Sequence, residues 1–196
     1  MEARMASRLF QTITDFNEGR ELIAKRAYGV IEVAAGELVG IHLRPWPKII
    51  SVVEAKWMGG WQHERRERDH CLMYYNQPLS HRNFLALKYI VTSLGTTFKT
   101  MRRTLIVLDE IAKLKRTDAM VAEVTNPRIS DRTVERYGWV KHLENQKGRH
   151  FIKRFYGQYP TEAVAQEILN AEPAFRTTSL APTLKIHSPN QPNQLT

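Results

Sequence analysis

Apolar positions recur along the first 171 residues with the spacing of both strands and helices, which predicts a mixed α/β chain. Val- and Ile-rich runs on both sides of Ala35-Gly36-Glu37 predict a β-hairpin within residues 29–44. A further run at 48–56 has the composition of a strand, although its Ala and Lys residues also fit a helix. The other strands are predicted at 70–76, 119–124 and 149–155.

Other segments place apolar residues three or four positions apart, which is the spacing of an amphipathic helix. Ser7 is a suitable N-cap for the first, in which Phe10, Ile13 and Phe16 share one face, and the pattern continues to residue 23. A second helix is predicted over 98–116, with Arg102 and Asp109 facing outward. Two shorter helices are predicted, one from the N-cap Ser130 to Tyr137 before Gly138, and one at 161–171.

The segment after Ser80 fits two interpretations. Ser80 is a good N-cap, and Phe84, Leu87 and later apolar residues up to Leu94 share a helical face before Gly95. A helix is the prediction here, with a strand as the alternative because Tyr89-Ile90-Val91 is typical of a strand.

The last 25 residues differ in composition from the rest. Residues 172–196 are polar and contain four prolines, so they cannot bury enough apolar surface to offset the entropy lost on ordering. The sequence therefore predicts a single domain at 1–171 followed by a disordered tail at 172–196.

The chain carries 29 Lys and Arg against 20 Asp and Glu, a formal net charge of +9. Such a surface attracts polyanions and makes nucleic acid a candidate partner. No stretch of about 18 apolar residues predicts a membrane span, and the N-terminus has no secretory signal pattern. The expected location is the cytoplasm.

Cys71 is the only cysteine, which excludes a disulfide framework and a cysteine-based zinc site. Burial as a small hydrophobic residue is the expectation for it. No two histidines have metal-ligand spacing, so no metal site is predicted.

Residues 118–157 run as a strand, Asn126, a short helix capped by Ser130, Gly138-Trp139 and an aromatic-rich strand. This order resembles the C-terminal half of the GNAT family of acyl-CoA-dependent N-acyltransferases. The resemblance implies a GNAT-like fold, in which helices flank a central mixed, mostly antiparallel sheet. It also implies acetyl-CoA or another acyl-CoA as the cofactor and an amine as the acceptor.

In that family two neighbouring strands part at their ends and bind the pantetheine arm, while a helix N-terminus binds the pyrophosphate. The family's phosphate turn reads Gln/Arg-x-x-Gly-x-Gly/Ala between a strand and a helix. Gln77, Ser80 and Arg82 match that place here, with Ser80 and Arg82 standing where the family has glycine or alanine. The resemblance further implies Asn126 and Ser130 at the acyl end of the cofactor.

The resemblance also implies two catalytic groups. A Glu on a central strand would act as the base, which indicates Glu54, with Glu32 as the alternative. Tyr137 is the candidate donor of a proton to the departing thiolate. The family places that tyrosine four residues before the Gly-aromatic pair, where this chain has Val134, so catalysis is either retained through Tyr137 or degenerate.

Two hypotheses from other classes stay open. Glu54-Ala55-Lys56, with Glu32 or Glu37 as an earlier acid, is similar to the PD-(D/E)xK pattern of Mg²⁺-dependent nucleases. Alternatively, a nucleic-acid-binding protein is indicated by basic residues interleaved with aromatic ones. The residues of that basic and aromatic pattern are Arg128, Arg132, Arg136, Lys147, Arg149, Lys153, Arg154, Phe151, Phe155 and Tyr156.

Overall fold

A mixed eight-stranded sheet forms the centre of the part of the chain that the structure describes. This structure, a computed structural model, describes residues 11–46, 69–93, 95–125, 129–161 and 163. The strands are β1 (Gln11–Ile13), β2 (Tyr28–Ala34), β3 (Glu37–Arg44), β4 (His70–Asn76), β5 (Phe84–Thr92), β6 (Ala119–Glu123), β7 (Val140–His142) and β8 (His150–Arg154). The helices are α1 (Arg20–Lys25), α2 (Phe98–Leu114) and α3 (Asp131–Glu135).

The strand order is β1-β3-β2-β4-β5-β6-β8-β7, and every pair is antiparallel except β5 with β6. A parallel pair needs a crossover connection, and α2 provides it between β5 and β6. These findings confirm the predicted fold class, a mixed and mostly antiparallel sheet flanked by helices.

The predicted hairpin is confirmed, since β2 and β3 pair across Ala35 and Gly36. Both turn residues have positive φ, 51° and 82°, which is the combination that a type I′ turn requires. Because such a turn matches the twist of its strands, the turn fixes the register of the hairpin.

The main core lies between α2 and one face of the sheet. Thr97 caps α2 by accepting a hydrogen bond from the N–H of Thr100, and the helix packs against β2, β3 and β4. Alternation along β2 turns Ile31 and Val33 toward α2, and Glu32 toward the opposite face. The fully buried side chains of this core include Ile23, Ile31, Ile41, Leu43, Met73, Tyr75, Leu85, Leu108, Ile111, Met120 and Phe151.

Two side chains of α2 that were predicted to face outward are buried. Arg102 and Asp109 are each 7% exposed. Asp109 accepts hydrogen bonds of 2.7 and 2.9 Å from the ammonium of Lys153 on β8. The outward prediction was wrong because it treated charge as a sign of exposure, whereas this carboxylate has a partner across the core.

The helix predicted after Ser80 is also wrong, since Phe84–Thr92 is strand β5. Hydrogen bonds to β4 and β6 hold the segment extended, which overrides its helical spacing of apolar residues. Apolar residues occupy both faces of β5, so their spacing imitates a helix. The strand alternative was the correct one.

The N-terminal helix was predicted to run unbroken from Ser7 to residue 23. In the described part of that segment, Gln11–Ile13 is strand β1, paired with β3, and only Arg20–Lys25 is helical. Asp15 accepts hydrogen bonds from the backbone N–H groups of Asn17 and Glu18, at 2.7 and 3.2 Å. This aspartate turn separates the strand from the helix.

Several predictions fall outside the described residues. They are the strand at 48–56, all but two residues of the helix at 161–171, the tail at 172–196, and the individual residues Glu54 and Asn126. Among the described helices, none is both long and apolar enough to cross a membrane.

Candidate functional site

Strands β5 and β6 pair over only part of their length. Their register runs from Phe84 opposite Ala119 to Leu87 opposite Ala122, whereas β5 continues to Thr92. The four residues after Leu87 are all exposed. Of the strands that the structure describes, only β4 pairs with this part of β5, so the edge of β5 that faces β6 is open here.

A β-bulge lies at the point where the pairing of β5 with β6 ends. Tyr75 of β4 lies opposite Leu87 and Tyr74 opposite Tyr89, so Lys88 is the extra residue. A bulge bends its strand and increases the local twist. The bulge comes directly after Leu87, the last residue of β5 that pairs with β6.

The turn after β5 leads directly into α2. The N–H of Ser93 donates to the carbonyl of His70 at 3.0 Å, and the hydroxyl of Thr96 donates to the same carbonyl at 2.7 Å. The N–H groups of Phe98 and Lys99 follow the N-cap Thr97 and project from the helix start. The open edge of β5 and the positive end of the α2 dipole therefore lie at the same end of the sheet.

A carboxylate already lies at this helix start. Asp69 accepts hydrogen bonds from the N–H and the hydroxyl of Thr97, at 2.8 and 2.9 Å. The helix dipole favours a negative charge here, and Asp69 already provides one at the N-cap of α2.

On the face of the sheet away from α2, one carboxylate lies between two imidazoles. Glu32 Oε2 is 2.6 Å from His42 Nε2, and Glu32 Oε1 is 2.7 Å from His70 Nε2. Burial raises the pKa of the Glu32 carboxyl, but the hydrogen bonds from His70 and His42 outweigh it and leave that pKa below its ordinary value. Glu32 is therefore held ionised and oriented.

This cluster is tied to the turn before α2. The N–H of His70 donates to Ser93 Oγ at 2.9 Å, and the His70 carbonyl accepts the two hydrogen bonds from Ser93 and Thr96 described above. The three titratable groups thus lie at the same end of the sheet as the open edge of β5.

The predicted phosphate turn lies at the other end of β5. The connection that contains Gln77, Ser80 and Arg82 joins the antiparallel strands β4 and β5. A helix was expected to follow these residues, and a strand follows them instead. The Gln77 amide donates to the Arg82 carbonyl at 2.6 Å and accepts from Lys115 Nζ at 3.2 Å. Lys115 is the C-cap of α2, where the dipole disfavours phosphate.

A strand followed by a helix occurs instead where β5 ends at Thr92 and α2 begins at Phe98. A glycine, Gly95, and the N-cap Thr97 precede the amphipathic pattern of α2, and together they were the available signal. The signal was missed because residues 84–94 were predicted as a helix, which left no strand before it.

Two other predicted site residues lie around α3. Ser130 is confirmed as its N-cap, accepting a hydrogen bond from the N–H of Thr133 at 3.2 Å. Tyr137 follows the helix and is half-buried against the main core, and Gly138 has the predicted positive φ, 80°.

The two phenylalanines that were predicted to stack on nucleic-acid bases are buried. Phe151 and Phe155 are 1% and 4% exposed and belong to the main core. Two of the basic residues have acidic partners, since Lys153 binds Asp109, and Arg149 donates to Asp131 at 2.9 Å.

A cavity of about 240 Å³ lies beside β7 and β8. Asp131 lies in its lining and pairs with Lys141 at 2.7 Å as well as with Arg149. Hydrogen bonds from Lys141 and then Arg149 lower the pKa of the Asp131 carboxyl. Among the described residues, no group of three or more His, Cys, Asp or Glu side chains is placed to hold a metal ion.

No protein-family model matches the chain, and no curated protein matches it. Among solved structures, a crystal structure of nourseothricin acetyltransferase is similar to it with a TM-score of 0.36 and 10% sequence identity. The similarity covers 74% of this chain and 98% of that chain. A likeness at this level assigns neither a family nor a function.

Proposed function

We propose that this chain is a GNAT-like N-acyltransferase that transfers an acyl group from acyl-CoA to an amine. The observation that carries the proposal is the parting of the parallel strands β5 and β6 after Leu87, next to the start of α2. The resemblance noted from residues 118–157 requires such a gap, and one of the two strands that border it, β6, lies within that segment.

The open edge of β5 suits an extended, amide-containing arm such as pantetheine. Backbone N–H and C=O groups along a strand edge pair readily with another extended chain. Tyr89, Ile90 and Val91 of β5 are 46%, 39% and 42% exposed, so apolar surface is also available for the methylene groups of the arm. We assign the arm to this edge.

The phosphates of the cofactor would bind the first turn of α2. The N–H groups of Phe98 and Lys99 project from it, and the Lys99 side chain is exposed apart from an ion pair of 3.6 Å with Glu37. The roles first expected of Gln77, Ser80 and Arg82 therefore pass, in this proposal, to the turn and helix start at 95–99.

The acyl end would lie toward the end of β6. Asn126 and Ser130, expected there from the resemblance, follow β6 directly in the chain. Tyr137 stays the proposed proton donor to the thiolate, and Glu54 stays a proposed base. Two of these four residues, Glu54 and Asn126, lie outside the described part of the chain.

The first prediction tests cofactor binding. A ligand that binds only the folded state raises the melting temperature, so CoA and acetyl-CoA should raise it in a dose-dependent way. Lys99→Glu places a negative charge at the start of α2 and should weaken CoA binding at least about tenfold.

Lys113→Glu is the matched control, because it makes the same charge change in the last turn of the same helix. It should leave CoA affinity within about twofold, since the effect of a helix terminus falls off within one turn. Absence of any thermal shift with CoA, or equal losses in the two variants, would refute the proposed cofactor site.

A further inference from the structure

The cavity beside β7 and β8 lies close to the gap between β5 and β6. Ala122 of β6 pairs with Leu87 of β5 on one side and with Phe151 of β8 on the other. The next residue, Glu123, pairs with His150 of β8 and has no partner among the described residues of β5. His150 lines the cavity. Since neighbouring strands lie about 5 Å apart, the cavity begins roughly one strand away from the gap.

The loop between β7 and β8 approaches the end of β6 closely. Gly148 of this loop lines the cavity and has a φ of 113°, a conformation that glycine adopts far more readily than other residues. A Cβ on Gly148 would lie 3.1 Å from Glu123 Oε1 and 2.9 Å from His150 Nε2. The Glu123 carboxylate therefore lies against the wall of the cavity, on the side of β6.

The two basic side chains in the cavity lining that are charged at neutral pH are paired with one acid. Lys141 and Arg149 both donate to the Asp131 carboxylate. The side chains of Glu123 and Glu144 are exposed, and in the part of the chain that the structure describes neither has an ion pair or a hydrogen bond. Glu144 belongs to the lining and Glu123 borders it. The charges that remain for a ligand are therefore negative.

The size of the cavity limits what it can hold. Its volume of about 240 Å³ equals that of about eight water molecules at ~30 Å³ each. It therefore accommodates the end of a small molecule, whereas a nucleic acid or a folded protein would contact only its rim.

We propose that this cavity binds the far end of the acceptor and that this end carries a positive charge. The acceptor is then a diamine, or another amine with a second cationic group. Glu123 and Glu144 bind the cationic end through charge-assisted hydrogen bonds, and the other nitrogen reaches the thioester at the end of β6. This inference rests on the acyltransferase function proposed above, for which it names the class of acceptor.

The transfer itself leaves the cationic end unchanged. The neutral nitrogen of the acceptor attacks the thioester carbonyl, so that a C–N bond forms and the C–S bond breaks. CoA leaves as a thiolate with the electron pair, and the proton that the nitrogen loses balances the proton that the thiolate takes up. The cavity therefore determines which amine is bound and takes no part in bond making.

The first test measures the binding of amines to the full-length protein by isothermal titration calorimetry, without acetyl-CoA. Cadaverine has a second ammonium group, and pentylamine has the same carbon chain without it. The protein should bind cadaverine at least about tenfold more tightly, since hydrogen bonds between charged groups are the strong ones. Glu144→Gln removes the charge and keeps the shape, so it should reduce this preference to within about twofold, and Glu123→Gln should act in the same direction.

Glu135→Gln is the matched control. The hydrogen bond and the charge of Asp131 raise the pKa of Lys141, and the charges of Glu135 and Glu144 add to this rise, so both glutamates lie near the same ammonium. Glu135 belongs to α3 and is not part of the cavity lining. Its variant should keep the preference for cadaverine. Equal losses in the Glu135 and Glu144 variants, or no preference in the unchanged protein, would overturn the acceptor site.

The second test measures thiol release from acetyl-CoA with the same two amines. In Glu144→Gln, kcat/KM for cadaverine should fall about tenfold or more through a higher KM, while acetyl-CoA affinity stays within about twofold. An unchanged melting temperature will show that each variant is folded.

The outcomes separate the two proposals. Failure of the unchanged protein to bind acetyl-CoA refutes the acyltransferase function, and cadaverine binding then shows a cation site without an acceptor role. Acetyl-CoA binding with equal thiol release for the two amines, or with none for either, overturns the inference on the acceptor and leaves cofactor binding standing.

Discussion

At the scale of single residues, burial decides the chemistry of several polar side chains. Cys71 is fully buried, as the sequence predicted, and burial raises the pKa of its thiol to about 11, so it is not a nucleophile at neutral pH. Lys115 is more unusual, because its ammonium donates to the carbonyls of Ala24 and Arg26 at the end of α1. Burial lowers the pKa of Lys115 to about 8.

The second prediction concerns the pH dependence that Lys115 confers. The folded state gives up this proton near pH 8, whereas the unfolded chain keeps it until about pH 10.4. Between these values the unfolded state binds more protons, so the free energy of unfolding rises with pH.

Lys115→Met should remove this rise, and the exposed Lys113→Met should keep it. Denaturant unfolding at pH 7.5 and pH 10, compared between the unchanged protein and each variant, measures the difference. Equal pH dependence in all three proteins would show that Lys115 keeps an ordinary pKa.

At the scale of elements, two side-chain contacts are informative. One joins β4 to β2, and the other joins α2 to β8. The Tyr75 ring on β4 is fully buried and lies over Gly29 of β2, where an added Cβ would be 2.4 Å from the hydroxyl oxygen. That hydroxyl has no hydrogen-bond partner among the described residues. Glycine is therefore required at position 29 by the close approach of a neighbouring side chain.

The third prediction follows from this contact. Gly29→Ala should lower the free energy of unfolding by about 1–3 kcal/mol, because the buried ring has to shift. Tyr75→Phe removes an unpaired buried hydroxyl and should be neutral or stabilising. Adding Tyr75→Phe to Gly29→Ala should recover part of the loss, and denaturant unfolding of the three variants provides the measurement.

The fourth prediction concerns the ion pair of Asp109 and Lys153, whose side chains are 10% and 13% exposed. Lys153→Met leaves the Asp109 carboxylate buried and unpaired, which should cost about 3 kcal/mol of stability. The double variant with Asp109→Leu should regain most of this loss, as measured by denaturant unfolding. A loss in the double variant equal to the sum of the single losses would show that the pair is not coupled.

At the scale of the whole molecule, binding through the net charge and binding at the proposed cofactor site should depend differently on salt. The fifth prediction is that the charge of +9 retains the protein on heparin at low salt and that binding falls steeply as salt increases. CoA affinity should change far less with salt, because local N–H groups and apolar contacts contribute to it. A CoA affinity that follows the same salt dependence would indicate general attraction of anions.

The sequence by itself determined the local structures whose signals lie within a few residues. The hairpin at Ala35-Gly36, the cap at Ser130 with Gly138, and helix α2 were all predicted, because turns, caps and helical faces depend on neighbouring positions. The mixed α/β class followed from these elements.

Only the tertiary structure decided the features that depend on distant partners. Strand β5 is a strand because β4 and β6 pair with it, and its bulge and open edge follow from that register. Glu32 meets His42 and His70, 10 and 38 residues away, through the order of the strands, and Asp109 finds Lys153 across 44 residues. Spacing along a chain carries no information on such contacts, since strand order and register bring them about.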